Sequence, residues 1–177
     1  MNICIYGAAN NEIDASFIKA GEELGAKMAK NGHTLIFGGG ATGMMGAIAR
    51  GVIESGGKTI GITPRFFDVD GVLFKESTEM IFTSDMRSRK EKLEDMADAF
   101  IVTPGGIGTM DEFFETLSLI QLEQINKPLI IYNINGFYDN LIALLIKSAE
   151  LNFLYREDLK LFFISDSVEE IMEYLKQ

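Results

Sequence analysis

The chain has one cysteine, one histidine, no tryptophan and three prolines in 177 residues. The lone cysteine, Cys4, excludes an internal disulfide and makes a reducing, cytoplasmic setting the expectation. The lone histidine, His33, excludes histidine-pair metal sites and serine–histidine relays, and it sits in a turn, Asn31-Gly-His-Thr34, that leads into a strand. No apolar run approaches the roughly 18 to 20 residues that a membrane-spanning helix needs. The first residues, Met1-Asn-Ile-Cys-Ile-Tyr6, read as a strand without a basic leader, so export is not expected. Bases are scarce as well: 16 Lys and Arg face 26 Asp and Glu, a net charge of −10. Such a charge opposes polyanion binding, because nucleic-acid affinity rests on neutralising phosphates with Lys and Arg. Any anionic ligand is therefore expected to be small and held locally.

What is present suffices for one domain over residues 1–177, with 47% apolar and 24% charged residues. Apolar runs bounded by turn residues predict seven strands, at 3–6, 35–37, 59–62, 79–82, 99–102, 129–132 and 161–164. Amphipathic stretches between them predict helices near 13–30, 43–55, 86–96, 109–125, 138–151 and 168–176. Almost wholly apolar strands such as Ala99-Phe-Ile-Val102 suit a parallel sheet covered on both faces. The expected fold is α/β: a single-domain, Rossmann-like, doubly wound sheet whose strand-to-helix turns gather at one carboxyl edge, where ligands bind. Residues 63–77 have weak periodicity and read as a loop over that edge.

Two of those turns are rich in glycine. Gly38-Gly-Gly-Ala-Thr-Gly-Met-Met-Gly46 contains G-x-G-x-x-G, with Gly39, Gly40 and Gly43 as candidate phosphate-binding positions. The dinucleotide form of this motif wants an acidic residue ending the next strand, and Thr59-Ile-Gly-Ile-Thr63 has none. The same glycines also suit tight strand–helix packing with no ligand. The second turn, Thr103-Pro-Gly-Gly-Ile-Gly-Thr-Met-Asp-Glu112, offers amides at Gly105, Gly106, Ile107, Gly108 and Thr109 for a phosphate. Glu112 has two readings here: a catalytic carboxylate, or the return arm of a capping box opened by Thr109. Between the two turns, Arg87, Arg89, Lys90 and Lys92 crowd the start of a helix opening near Asp85. The helix dipole disfavours cations there, so a solvated face paired with Glu91, Glu94 and Asp95, an anionic substrate, or a carboxylate such as Glu112 must compensate.

Taken in order, Gly38-Gly-Gly-x-x-Gly-x-Met-Gly46, Met86-x-x-Arg-Lys90 and Pro104-Gly-Gly-x-Gly-Thr-x-x-Glu112 resemble the Lonely Guy (LOG) family over residues 3–153. Its members are cytokinin-riboside 5′-monophosphate phosphoribohydrolases, often misnamed lysine decarboxylases. The resemblance implies a Rossmann-like homodimer that hydrolyses the N-glycosidic bond of a nucleoside 5′-monophosphate, AMP or an N6-substituted AMP, without cofactor or metal. It carries the family's catalytic arginine onto Arg89 and its glutamate onto Glu112, and nucleotide-binding positions onto Lys90 and Gly105 to Asp111. With Arg89 beside it, Glu112 is expected to stay ionised and aligned, since an adjacent cation lowers a carboxyl pKa. The chain departs from the family at Arg87 and Ser88, at Ala8 and Ala9, and in lacking a glutamate near Gly71. The alternative implied by the same fold is a non-catalytic nucleotide or molybdenum-cofactor carrier. A dimer is also expected from the predicted helix at 113–125, whose Phe113, Phe114, Leu117, Leu119, Ile120, Leu122 and Ile125 cannot all face one sheet.

Overall fold

In a strand, successive side chains point to opposite sides, so an unbroken apolar strand needs cover on both. The computed structural model, which describes residues 1–176, supplies it. Seven parallel strands, β1 (Asn2–Tyr6), β2 (Thr34–Phe37), β3 (Lys58–Pro64), β4 (Glu79–Thr83), β5 (Ala99–Val102), β6 (Leu129–Tyr132) and β7 (Phe163–Ser165), form one sheet. The order is β4-β3-β2-β1-β5-β6-β7, with every pairing parallel. On one face Ile3, Ile5, Leu35, Phe37 and Ile101 pack against helices α1 (Ala15–Lys30), α2 (Gly43–Glu54) and α6 (Val168–Tyr174). On the other, Cys4, Tyr6, Ile36, Phe100 and Val102 meet α3 (Met86–Met96), α4 (Ile107–Gln121) and α5 (Asp139–Glu150). The doubly wound fold is thus as expected. Among the described residues no helix is long and apolar enough to cross a membrane.

Several expected boundaries move, those of β7 and α4 for clear local reasons. The seventh strand starts at Phe163 rather than Leu161, because Arg156–Lys160 close a 3₁₀ turn that ends at Leu161. Helix α4 starts two residues early, with Gly106 as N-cap, and ends at Gln121, beyond which Glu123 takes a positive φ of 56°. The earlier start removes the capping-box reading of Thr109 and Glu112: Thr109 is the third helical residue and Glu112 the sixth. The loop over the edge begins with a 3₁₀ turn, Arg65–Phe67, and is tied down by a bridge from Leu73 to Gly40.

Candidate active site

Strand order reverses between β1 and β5: the chain leaves β1 toward β2, β3 and β4, and returns to place β5 on the other side of β1. Loops leaving two such strands diverge and open a crevice at their carboxyl ends. Here the crevice is a cavity of about 350 Å³ lined by Gly7, Ala8, Ala9 and Asn10 after β1, by Gly106, Gly108, Thr109 and Glu112 from α4, and by Arg89 and Met45. A second cavity of about 360 Å³ shares Ala9, Met45 and Arg89 and continues past Gly38, Thr63, Phe67, Leu73 and Met86.

Arg89 and Glu112 meet where the cavities join. Arg89 Nη1 donates to Glu112 Oε1 at 3.0 Å, and Arg89 Nε donates to the Ile62 carbonyl at 3.2 Å. The two residues are 9% and 8% exposed, so neither charge is solvated from all sides. Burial pushes the Glu112 carboxyl above its ordinary value of 4.5, and the Arg89 charge pulls the other way without cancelling it. Arg89 thus acts on the Glu112 carboxyl in the expected direction, favouring the ionised form, and burial is the larger, opposing influence. The cation at this helix start is accommodated by Glu112 and by the N-cap Asp85, whose side chain accepts from the Ser88 amide at 2.9 Å. The Asp85 carboxyl is lowered to about 2, chiefly by that backbone bond.

The two glycine turns differ in what their helix starts leave free. In α2 the Gly43 amide is taken by Asn11 Oδ1 at 3.2 Å and the Met45 amide by the Ala8 carbonyl at 3.2 Å. Gly43 has φ +61°, and a Cβ there would stand 2.6 Å from the Ala8 oxygen, so this turn is packed under the β1–α1 loop. In α4 no side chain caps the helix, and its first intrahelical bond is Met110 to Gly106 at 3.0 Å. The amides of Ile107, Gly108 and Thr109 therefore have no intrahelical carbonyl to meet, a geometry able to hold an anion.

Of the residues singled out in the sequence, Arg89, Glu112, Gly106, Gly108 and Thr109 come together in the first cavity and Gly40 lines the second. Gly105 lies beside them, close enough to Thr109 that an added Cβ would be 2.0 Å from its Oγ1. Gly39, with φ +79°, lines neither. Lys90, Asp111 and Ile107 line a separate open hollow with Met110, Phe114, Glu115 and Ser118. Sequence reasoning missed Ala8, Asn10 and Met45 as lining residues. The signal available was positional: the loop after the strand at a sheet's switch point always borders the crevice.

Comparison with known proteins follows the same line. The family model described as "Possible lysine decarboxylase" matches residues 45–175. The chain is 32% identical over 175 residues to a probable cytokinin riboside 5′-monophosphate phosphoribohydrolase of Oryza sativa subsp. japonica, covering 99% of this chain and 78% of that protein. It is 29% identical over 174 residues to a cytokinin riboside 5′-monophosphate phosphoribohydrolase of Arabidopsis thaliana, covering 98% and 82%. Among solved structures, a molybdenum cofactor binding protein of Rippkaea orientalis superposes with a TM-score of 0.74 at 24% identity, covering 99% and 94% of the two chains. DNA processing protein A of Helicobacter pylori reaches 0.60 at 16% identity, covering 99% and 80%. At these identities the structural likenesses establish the fold.

Proposed function

Because this chain belongs to the LOG family, we propose that it is a hydrolase of the N-glycosidic bond of nucleoside 5′-monophosphates, releasing free base and ribose 5-phosphate. The observation that carries the reading is the buried Arg89–Glu112 pair standing beside an uncapped helix start. The 5′-phosphate sits on the amides of Ile107, Gly108 and Thr109, which fixes the ribose over Glu112. The base extends past Arg89 into the second cavity, whose Phe67, Leu73 and Met86 suit adenine, bare or carrying an apolar N6 group. As the C1′–N bond breaks, its electron pair leaves with the base and positive charge grows on the sugar. The Glu112 carboxylate stabilises that charge and takes a proton from the water that attacks C1′; the departing base is protonated in turn. Arg89 holds the carboxylate in place and opposes the burial that would protonate it.

The older family description invokes a lysine decarboxylase, and a pyridoxal-phosphate enzyme needs a lysine amine in its cavity to form an imine. Among the described residues no lysine lines either cavity. The exposed apolar side chains of Phe114 on α4 and of Leu122 just after it support a homodimer, and the single buried cysteine suits a cytoplasmic location. The test is chromatography of protein incubated with AMP, N6-isopentenyl-AMP, GMP and CMP. Wild type is expected to release base, whereas Glu112→Gln binds AMP with a roughly 10²–10³-fold loss of turnover, on the order of an oxyanion-type deletion. Equal turnover by the variant refutes the role of Glu112; tight binding without release by the wild type favours a carrier.

A further inference from the structure

Most buried threonine hydroxyls in this chain are paired within the protein. Thr59 and Thr78 each accept from the other's amide, at 3.2 and 3.1 Å. Thr103 donates to the Tyr6 carbonyl at 2.9 Å, and Thr116 shares a 3.0 Å bond with the Tyr6 hydroxyl. Among the described residues, the buried threonines whose hydroxyls have no partner are Thr63 and Thr109, 1% and 4% exposed. Thr109 borders the first cavity and Thr63 the second. Whatever fills a cavity and expels its water must replace the bond that water makes to such a hydroxyl, or leave the hydroxyl stranded. We propose that Thr63 is a specificity-determining residue: its hydroxyl hydrogen-bonds the edge of a purine base lodged in the second cavity. This rests on the reading that the base enters that cavity past Arg89.

Strand geometry holds this hydroxyl in place. Thr63 lies near the end of β3, between Pro64 and Ile62, whose carbonyl accepts from Arg89 Nε at 3.2 Å. Its branched Cβ restricts the first side-chain torsion, so the hydroxyl does not swing freely. Gly39 beside it has no side chain; a Cβ there would stand 3.6 Å from Thr63 Cβ and 2.9 Å from Met80 Cε. Few other side chains of this cavity are equipped to read a base. Thr42 Oγ1 donates to the Ala9 carbonyl, and Arg89 is a donor committed to Ile62 and Glu112. Met45, Phe67, Val72, Leu73 and Met86 are apolar. A hydroxyl both donates and accepts, so it serves an adenine N–H as well as a ring nitrogen. A singly substituted N6 keeps one N–H. The contact therefore separates a polar base edge from an apolar one, and not a small N6 group from a large one.

The test measures kcat/KM for AMP and for purine riboside 5′-monophosphate, 1-deaza-AMP and 7-deaza-AMP, each of which lacks one hydrogen-bonding group of the base. Wild type, Thr63→Val and Thr63→Ser are compared, with thermal melts alongside. Comparing each nucleotide with itself across the variants cancels differences in how readily the bases leave. Thr63→Val is expected to slow AMP by about tenfold or more, since a hydrogen-bonding contact is lost, yet to slow one analogue, the one already lacking the group that Thr63 meets, by less than about twofold. It is expected to melt at or above wild type, because a methyl replaces a hydroxyl that has no protein partner. Thr63→Ser is expected to keep most of the AMP rate. Equal slowing of all four nucleotides by Thr63→Val, or slowing of AMP by less than about threefold, overturns the proposal. A lowered Tm overturns it as well, by giving the hydroxyl to the fold. If wild type turns over no nucleotide, the hydrolase reading fails on its own, and the same comparison made on Kd by calorimetry still decides the role of Thr63.

Discussion

Gly38 stands where the Arg89 guanidinium passes, and replacing it with alanine tests the site without touching a charged group. A Cβ at Gly38 would lie 2.1 Å from Arg89 Nη2, 3.2 Å from Arg89 Cζ and 3.2 Å from Met45 Sδ. Ordinary contact begins at 3.4 Å, so the guanidinium must move by 3.4 − 2.1 = 1.3 Å. It has little slack, since its bonds to Ile62 and Glu112 are already 3.2 and 3.0 Å long, near the ~3.2 Å limit of an N–H···O bond. A displacement of about 1 Å at reacting groups lowers turnover roughly 10²-fold. Fully separating a buried pair costs about 3–5 kcal/mol; because Arg89 can swing toward the crevice mouth and Glu112 can take up a proton, we expect about 1–3 kcal/mol. In a chain of this length each kcal/mol lowers Tm by about 2–4 °C. The assay is base release from AMP alongside a thermal melt of Gly38→Ala. Turnover within threefold of wild type at an unchanged Tm would refute the account of both Gly38 and Arg89.

Other consequences are as direct. The Glu112 carboxyl is raised, so the acid limb of kcat/KM is expected to have its midpoint above the ordinary 4.5, with activity lost as pH falls through it; a midpoint at or below 4.5 contradicts the burial argument. The same shift means that the fold bears the penalty of an ionised Glu112 above that midpoint and is relieved of it as the carboxyl protonates. Gly106→Ala meets nothing within 4 Å and has φ −94°; it should melt like wild type yet, with its methyl in the proposed phosphate seat, raise KM for AMP about tenfold or more. Tyr138→Phe removes the 2.7 Å bond that the buried hydroxyl donates to the Thr103 carbonyl at the base of the second glycine turn. A loss of about 1–3 kcal/mol in denaturant unfolding is expected, with weaker ribose 5-phosphate binding.

Much of this architecture was legible because local patterns agree with the global fold. Ala99–Val102 and Met86–Met96 fall where apolar composition and periodicity predict them. The start of α4 was misplaced because cap preferences favour Thr109, while Gly106 serves without a side chain and leaves its amides open. Arg89 and Glu112 were visible, and the cations at a helix start already called for a carboxylate such as Glu112; the contact itself depends on α3 and α4 sharing a face of the sheet. Lys90 was read as a nucleotide-binding position from its place after Arg89 in the motif. Its partners Asp111 and Glu115, 21 and 25 residues away, become apparent only when the helices are packed.

The sheet order carries a consequence for how activity is acquired. Arg89 belongs to α3, the excursion that leaves the edge strand β4, whereas Glu112 belongs to α4, which follows β5 after the chain has crossed back beside β1. The Arg89–Glu112 pair therefore spans the two wings of the sheet and forms only once they have docked. Strands β1 to β4 can assemble from neighbouring pairings along the chain, but joining β5 to β1 closes a far longer loop, and such non-local closure is slow. During refolding, catalytic competence should trail the appearance of helix signal and coincide with the final docking step, so that enzyme activity serves as a kinetic reporter of when the wings have joined.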